Sequence, residues 1–386
     1  MASVASAMTD AARRSLTERL KAQAYAVGFD LAGVVALGEP ATRAEFDAWL
    51  AAGLHGEMHY LDDAGAALRR DTRLPHAGAT HALVVAINYG GREPSGPVAR
   101  YARGDDYHEL LRAKLRDVHA WLEREVGHAV NARPYVDSGP VLERDLAQRA
   151  GLGWFGKNSM LISPKRGSFL FLASLFVDVE LDVDVPFDAD RCGTCTRCLD
   201  ACPTQAFVGP RVLDAKRCIS YLTIELRGEI PVEFREAVGD LLYGCDICQE
   251  VCPWNHTFSK PSTEPAFAAK PHIDGVDSLQ LSRWLLGLSR EEYASAFRGS
   301  PMKRAKRAGL VRNAAVVLGN VGSSDDVEVL SAALADEEPL VRSHVAWALG
   351  SIGTAGALAA LRARLPFEDD GRVRSELVAA LARSVP

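Results

Sequence analysis

The chain has 386 residues, of which 48% are hydrophobic, and its 44 basic and 50 acidic residues give a net charge of −6. This length allows two or three domains with ample cores. Because the net charge is negative, the protein as a whole does not attract nucleic acid, and an RNA or DNA partner would need a local basic patch. The longest apolar run, Phe169 to Val177, is too short to span a bilayer, and no signal peptide is recognisable, so we expect a cytoplasmic protein.

Residues 1–186 predict a mixed α/β domain, because apolar positions at helical spacing alternate with short apolar runs. The predicted elements are a helix from Ser15 to Val27, a strand from His81 to Asn88, a helix from Tyr107 to Val126, a helix from near Pro140 to Ala150 and a strand from about Ser168 to Val179. For the helix that starts at Tyr107, Asp105 and Asp106 offer an N-cap and Gly127 a C-terminal stop.

Residues 187–258 carry the eight cysteines of the chain. The run Cys192-x2-Cys195-x2-Cys198-x3-Cys202-Pro203 has the ferredoxin spacing, in which three cysteines hold one [4Fe-4S] cluster and the fourth holds a second. The later run lacks a leading cysteine, and Cys218, between the two runs, supplies it. The predicted ligand sets are Cys192, Cys195, Cys198 and Cys252 for cluster 1, and Cys202, Cys218, Cys245 and Cys248 for cluster 2.

Structural zinc and disulfides are the alternatives for these cysteines. Zinc would need closed four-ligand sets, which shared ligands and the Cys-Pro endings of both runs fit less well. A disulfide framework is uncommon in a large protein of a reducing compartment, where CxxC pairs more often bind metal or act in catalysis. The spacing therefore favours a ferredoxin-like module with two clusters.

Residues 259–386 begin as a loop and then predict helices with a weak internal repeat. Three Val-Arg pairs, which start at Val311, Val341 and Val373, lie 30 and 32 residues apart, and the first two units continue to a Leu-Gly pair. This period is typical of HEAT-type repeats, in which helix pairs stack because none buries its apolar face alone. Such stacks present a binding surface.

The densest positive stretch, residues 302–312, lies at the entrance to these repeats. A solvated helix face is the default interpretation of such a run, and a surface that follows phosphate groups is the alternative. The position at the start of the repeat stack favours a bound polyanion. The candidate RNA contacts are Arg298, Lys303, Arg304, Lys306 and Arg307.

The segment from Gly151 to Gly156 fits the G-x-G-x-x-G pattern of dinucleotide-binding proteins. That fingerprint requires a strand before it and a helix after it, whereas here a predicted helix precedes it. We therefore predict a glycine turn that leads into a strand and lets another large, flat cofactor approach, and keep nicotinamide binding as the less favoured alternative.

Asp137 is the candidate acid, since it lies between a predicted strand and a helix that starts near Pro140. Ordinary N-capping of that helix is the simpler interpretation, because proton donation near neutral pH would require burial that raises the pKa of the carboxyl group. Tyr107 and His108 lie in the first turn of another predicted helix. A solvated polar residue is the simpler interpretation of His108, and an acid or base is the alternative.

The chain resembles the epoxyqueuosine reductase family over nearly its whole length. The resemblance rests on the eight cysteines in order, the C-terminal repeats and four segments. These segments are His55 to Leu61, Ala99 to His108, Val136 to Arg144 and Gly151 to Asn158.

This resemblance implies an α+β protein made of a corrinoid-binding catalytic domain (1–186), a ferredoxin-like module with two [4Fe-4S] clusters (187–258) and an all-α HEAT-like domain that binds tRNA (259–386). The implied reaction is the last step of queuosine biosynthesis, reduction of epoxyqueuosine to queuosine at the wobble position of the anticodon loop. It implies cob(II)alamin as a cofactor, an external electron donor such as ferredoxin or flavodoxin, no membrane partner and a monomer.

Of the site residues, the resemblance implies Asp137 as proton donor, with Tyr107 and His108 as supports. The implied cobalamin contacts are Tyr60, Arg100, Asp137, Asn158, Ser159 and Leu161. Two other functions stay open: a corrinoid iron–sulfur reductase of a small molecule, like a reductive dehalogenase, and a non-catalytic electron-transfer or scaffold protein.

Overall fold

The computed structural model describes residues 9–91 and 96–383. Residues 1–8, with which the predicted first domain begins, and residues 384–386, with which the third ends, lie outside the described residues. The elements of the first region are α1 Asp10–Ala26, β1 Leu31–Ala36, α2 Arg43–Ala51, α3 Asp63–Arg69, β2 His81–Asn88, α4 Tyr107–Val126, β3 Arg133–Tyr135, α5 Glu143–Arg149, β4 Trp154–Phe155, β5 Leu161–Ile162 and β6 Leu170–Val177.

The middle and last regions are helical apart from one short hairpin. The middle elements are α6 Arg197–Asp200, β7 Phe207–Gly209, β8 Val212–Leu213, α7 Ile219–Ile224, α8 Val232–Arg235, α9 Ile247–Glu250 and α10 Pro253–Phe258. The last elements are α11 Ser278–Leu286, α12 Arg290–Ala296, α13 Lys306–Val321, α14 Val327–Ala333, α15 Pro339–Ile352, α16 Ala355–Arg364 and α17 Gly371–Arg383. Among the described residues, no helix has both the length and the apolar character needed to cross a membrane.

The first region is built on an antiparallel sheet of order β1-β2-β6-β3. Successive side chains of a strand point to opposite faces, so β2 can supply two cores. Leu83, Val85 and Ile87 pack with residues of α1 and α4, whereas Val84 packs with α5 on the other face. Because helices cover both faces, β2 is apolar almost throughout, and its predicted bounds are confirmed.

Helix α4 also has its predicted bounds. The carboxylate of Asp106, the N-cap residue, accepts a hydrogen bond from the His108 backbone N–H at 3.2 Å. Gly127 ends the helix in the left-handed conformation with φ 74°. Three other elements have bounds that differ from prediction. Helix α1 starts earlier, at Asp10, β6 is shorter at both ends, α5 begins at Glu143 rather than near Pro140, and both helices end one residue earlier than predicted.

The repeats place equivalent residues on α13, α15 and α17. Val311, Val341 and Val373 are all buried. In the first two units a glycine lets the next helix approach, since a Cβ on Gly319 would lie 2.4 Å from Trp347 Cζ3 and one on Gly350 would lie 2.6 Å from Ala380 Cβ. The repeat glycines are therefore needed for helix packing.

Helix α13 also donates side-chain hydrogen bonds to the backbone of the middle region. Arg312 is fully buried, and its guanidinium donates to backbone carbonyls, while the Asn313 amide donates to two more. The acceptors of Arg312 are Leu226 at 2.9 Å, Gly228 at 2.7 Å and Leu222 at 2.7 Å, and those of Asn313 are Thr223 at 2.8 Å and Leu242 at 3.0 Å. One hydrophobic cluster joins these two regions and also includes Val98 and Ala102 of the first region. The domain boundaries at 186/187 and 258/259 stay predictions.

Candidate active site

Asp137 lies in the turn after β3 with a positive φ of 56°. The Tyr107 hydroxyl donates to Asp137 Oδ2 at 2.6 Å, and His108 Nε2 lies 3.6 Å from the same oxygen. The structure thus brings together the predicted acid and both predicted supports. The capping interpretation is wrong, because the N-cap of α5 is Leu142, which makes no side-chain cap. The Asp137 side chain keeps 64% of its surface accessible, so a substrate can reach it.

His108 is held between two carboxylates. Its Nδ1 lies 2.7 Å from Asp106 Oδ1, and its side chain is 24% exposed, so it is not a freely solvated residue. Burial opposes its charge, but hydrogen bonds to Asp106 and Asp137 outweigh this and raise the pKa of His108 to about 9. The hydrogen bond from His108 holds the pKa of Asp106 well below its usual range. At neutral pH, therefore, His108 is an imidazolium beside two carboxylates.

Glu143 is a member of this site that the sequence did not single out. Its Oε1 accepts the backbone N–H of Asp137 at 2.6 Å. Burial and the neighbouring Asp137 charge raise the pKa of Glu143 to about 8. Although the Asp137 side chain is accessible, the protein atoms around it partly desolvate the carboxylate and oppose its ionisation. Hydrogen bonds from His108 and Tyr107 outweigh this effect and lower the Asp137 pKa. One carboxyl group thus keeps its proton at neutral pH while the other is ionised.

A sequence signal for Glu143 existed. It lies in the same family-like segment as Asp137, six residues later. An acidic residue in the first turn of a helix is ordinarily explained by the helix dipole, and that explanation conceals the contact with the Asp137 turn.

The glycine turn forms a hairpin of β4 and β5, which is not the strand–helix arrangement of a dinucleotide site. A Cβ on Gly153 would lie 2.1 Å from the Ile162 carbonyl oxygen, and one on Gly156 would lie 2.5 Å from Asn158 Oδ1. These two glycines are therefore required by the close packing of the chain on itself. Approach of a cofactor to this turn stays a prediction.

The predicted cobalamin contacts differ in accessibility. The Tyr60 side chain is half exposed, and Ser159 has a positive φ of 62°. Arg100 is paired with Glu250 at 3.1 Å, and its Nε is a buried donor without a hydrogen-bond partner in the part of the chain that the structure describes. Asn158 and Leu161 are each 3% exposed. Arg100 Nε lies 3.9 Å from Asp246 Oδ2 without a hydrogen bond to it, so its N–H can still donate to a polar group of a cofactor.

The glycine turn contacts both sets of cysteines. Asn158 Nδ2 donates to the carbonyl oxygen of Cys248 at 3.3 Å. Lys157 Nζ donates to the carbonyl oxygens of Gly193 at 2.7 Å and Cys195 at 3.0 Å. The predicted cofactor-binding segment therefore adjoins the cluster module.

The eight cysteines are free thiols that gather in two groups. Burial, together with the neighbouring thiols of Cys252, Cys192 and Cys195, raises the pKa of Cys198 to about 11. Burial raises the pKa of Cys245 to about 12, with Cys218 and Cys202 among its neighbours. Cys248 in turn lies near Cys218 and Cys245. Two groups of crowded thiols suit two metal clusters, which bind the deprotonated form.

The predicted RNA contacts fall into two classes. Arg298 and Lys306 are exposed and have no ion-pair partner within residues 9–91 and 96–383. The other three each reach a carboxylate. These pairs are Lys303 with Asp106 at 2.8 Å, Arg304 with Glu225 at 2.8 Å and Arg307 with Asp336 at 2.7 Å. In addition, Arg304 lies over the Tyr60 ring, with its Cζ 5.4 Å from the ring centroid.

Three sequence models of known families match the chain. The model described as "4Fe-4S double cluster binding domain" matches residues 191–255, "Epoxyqueuosine reductase QueG, DUF1730" matches 69–138 and "HEAT repeats" matches 305–382. The predicted double-cluster module and the HEAT-type repeats are thus confirmed.

Known proteins resemble the chain along most of its length. The epoxyqueuosine reductase of Pseudomonas aeruginosa is 42% identical over 347 residues, covering 86% of this chain and 94% of the relative. An epoxyqueuosine reductase crystallised with an epoxyqueuosine-modified tRNA-Tyr stem loop is 30% identical, covers 96% of this chain and 99% of its own, and has a TM-score of 0.87. The Bacillus subtilis enzyme, whose catalytic aspartate loop is swung out of the active site in its structure, is 30% identical with a TM-score of 0.84 over the same shares.

Proposed function

Since the chain belongs to the epoxyqueuosine reductase family, we propose that it reduces epoxyqueuosine to queuosine in the anticodon loop of tRNA. One observation carries the proposal: Asp137 is a solvent-accessible acid held by Tyr107 at 2.6 Å and His108 at 3.6 Å, in a region that adjoins a double-cluster module. This arrangement provides a source of protons beside a source of electrons.

The reaction converts an epoxide into an alkene and releases the oxygen as water, which requires two electrons and two protons. The two groups of thiols, one that includes Cys192 and one that includes Cys202, would bind the two clusters. Tyr60, Arg100, Asn158, Ser159 and Leu161 would hold a corrinoid. When bound, these cofactors supply single electrons and a strongly reducing metal centre.

The residues of this chain would supply and steer the protons. Asp137 gives a proton to the oxygen of the opening epoxide, and Tyr107 fixes the position of the acceptor oxygen on Asp137. Because hydrogen bonds lower the pKa of Asp137 whereas His108 has a pKa of about 9, the resting proton is on His108. Transfer from His108 Nε2 to Asp137 precedes donation to the substrate. The epoxide oxygen leaves as water after it takes up two protons.

The tRNA would approach across the edge between the basic segment and this site. A relative has been crystallised with a modified tRNA stem loop. In this chain Arg304 lies over Tyr60, which places a cation and an exposed aromatic ring together beside Asp137. An aromatic ring with a stacked guanidinium suits an unstacked base. Arg298 and Lys306 would bind backbone phosphates of the tRNA. The electron donor would be ferredoxin or flavodoxin, and the protein would act as a monomer.

The test is a reaction with reconstituted protein. Anaerobically reconstituted chain is incubated with cobalamin, a strong reductant and tRNA that contains epoxyqueuosine, and the tRNA is then digested to nucleosides and analysed by mass. We expect queuosine to appear only with reductant and cobalamin. Release of halide from an aryl halide, without conversion of the tRNA, would instead favour the small-molecule reductase, and inactivity with fully loaded cofactors would reject the proposal.

A further inference from the structure

The basic segment and the catalytic acid are joined by a continuous chain of charged contacts. Lys303 Nζ lies 2.8 Å from Asp106 Oδ2, and the other oxygen of Asp106 lies 2.7 Å from His108 Nδ1. His108 Nε2 then lies 3.6 Å from Asp137 Oδ2. Lys303 is 197 residues from Asp106 in sequence, so this contact exists only because the repeat region packs against the catalytic region.

We infer that Lys303 is a positioning residue for proton delivery, which sets how tightly His108 holds the proton that it passes to Asp137, and is not a phosphate contact. The inference rests on the proposed reductase function. It gives Lys303 a role in the chemical step, although it lies in a segment whose charge alone predicts RNA binding.

Burial makes the pair with Asp106 costly to break. The Asp106 side chain is 8% exposed, and a buried carboxylate that loses a partner is destabilised. A phosphate could attract Lys303 only at that cost. Lys306, three residues later, is exposed and has no carboxylate partner among the residues described, so it can bind phosphate freely. Two lysines of one segment thus have different partners.

The effect on His108 follows from the shared carboxylate. Lys303 and His108 both donate to Asp106, so each neutralises part of its charge. Without Lys303, His108 alone would neutralise Asp106 and would hold its proton more tightly. A more tightly held proton moves more slowly to Asp137.

The other charged groups around His108 do not replace Lys303. On its own helix these are Asp106 and Tyr107, and from the turn after β3 it is Asp137. Helix α5 contributes Glu143 and Arg144, which act on Asp137 more directly than on His108. The positive groups Arg144 and Arg304 act on Asp137, whereas Lys303 is the cation that contacts Asp106, the carboxylate bound by His108 Nδ1.

The experiment compares Lys303→Met, Lys303→Arg and Lys306→Ala in reconstituted protein. Single-turnover conversion of epoxyqueuosine tRNA is measured with saturating enzyme across pH, so that differences in RNA affinity do not enter the rate. We expect Lys303→Met to slow the step by roughly tenfold and to move its alkaline limb upward by about half to one pH unit. Lys303→Arg should restore both, whereas Lys306→Ala should weaken RNA binding without moving the limb.

A second readout does not depend on turnover. Diethyl pyrocarbonate modifies neutral histidine, so the pH dependence of His108 modification, followed by peptide mass, reports its protonation. In Lys303→Met the midpoint should move upward relative to the wild-type protein, and cluster absorbance should show that the fold is intact. If Lys303→Met instead behaves like Lys306→Ala in both measurements, the inference is wrong and Lys303 is a phosphate contact. Inactive wild-type protein would reject the reductase function alone, since the modification readout would still decide the role of Lys303.

Discussion

At the scale of the residue, the proposed proton donor, Asp137, binds a proton less tightly than its neighbour His108 does. Hydrogen bonds lower the pKa of Asp137, while His108 has a pKa of about 9 and Glu143 one of about 8. In the proposed reaction, His108 and Glu143 would store protons and Asp137 would deliver them. This division would let Asp137 accept a new proton after each donation.

Replacing Asp137 with Asn tests the delivery step. The amide oxygen can still accept from Tyr107, so the turn should keep its conformation, but the proton path to the epoxide oxygen is lost. We expect the rate of conversion to fall by about a hundredfold or more, with RNA and cofactor binding retained. The matched control is Asp105→Asn, because Asp105 is an exposed aspartate whose carboxylate pairs with Lys270. If Asp137→Asn still converts epoxyqueuosine at the wild-type rate, Asp137 is not the proton donor.

Replacing Glu143 with Gln tests the second stored proton through stability. Burial and the Asp137 charge raise the folded-state pKa of Glu143 from 4.5 to about 8, so the folded state keeps a proton that the unfolded state has released. The stabilisation is complete below about pH 4.5 and is lost as pH rises through about 8. His108 contributes in the same direction in both proteins. Calorimetry across this range should therefore show a weaker fall in Tm for Glu143→Gln than for wild type.

The control for that measurement is Glu109→Gln on helix α4. Glu109 is exposed and pairs only with Arg112 at 3.3 Å, so its replacement should leave the pH dependence of Tm as it is in the wild-type protein. Identical pH dependence in Glu143→Gln and wild type would mean that Glu143 is ionised in the folded state.

At the scale of the element, the repeat helices depend on glycine where they cross. A Cβ on Gly319 of α13 would lie 2.4 Å from Trp347 and 2.9 Å from Ala348 Cα, whereas one on Gly309 of the same helix would lie 3.4 Å from Ala305 Cβ. We expect Gly319→Ala to lower the free energy of unfolding by about 1 to 3 kcal/mol through overpacking. Gly309→Ala should raise it by about 0.5 to 1 kcal/mol through helix propensity. Chemical denaturation measures the free energy of unfolding of both variants. Equal values for Gly319→Ala and Gly309→Ala would contradict the close packing of α13 at Gly319.

Elements with local start and stop signals could be predicted from sequence. Helix α4 has its N-cap Asp106 and its terminal Gly127 in the chain itself, and both bounds are confirmed. Helix α5 could not be placed, since Pro140 suits a helix start but the preceding turn is held by distant groups. Arg69 donates to the Gly139 carbonyl oxygen at 3.4 Å from another element.

The same limit applies to the site. The cysteine spacing predicted two groups of four thiols, because ligand spacing is written locally in the chain. The contact between Lys303 and Asp106 has no local signal, since it depends on how two regions pack. The role of a residue that acts through such a long-range contact cannot be predicted from the sequence around it, even when the residue is charged.

At the scale of the whole molecule, free and paired cations should differ in their effect on RNA binding. Lys306 is exposed, whereas Arg307 pairs with Asp336 and is 15% exposed. We expect Lys306→Ala to flatten the dependence of log affinity on log salt by about one unit, since one phosphate contact is lost.

Arg307→Ala is the matched variant for this prediction. It should leave the salt dependence nearly unchanged and lower the free energy of unfolding by about 1 to 3 kcal/mol, because Asp336 is left without its partner. Filter binding at several salt concentrations and thermal unfolding distinguish the two effects. An equal loss of salt dependence in both variants would show that Arg307 leaves Asp336 to bind phosphate.

The anchoring of the middle region by Arg312 and Asn313 bears on how the protein matures during synthesis. Cys218 and Cys245 leave the ribosome before helix α13, so the backbone between them lacks its hydrogen-bond donors until that helix has been made. We therefore expect the backbone that positions the second set of thiols to reach its final conformation only after the C-terminal half has been made.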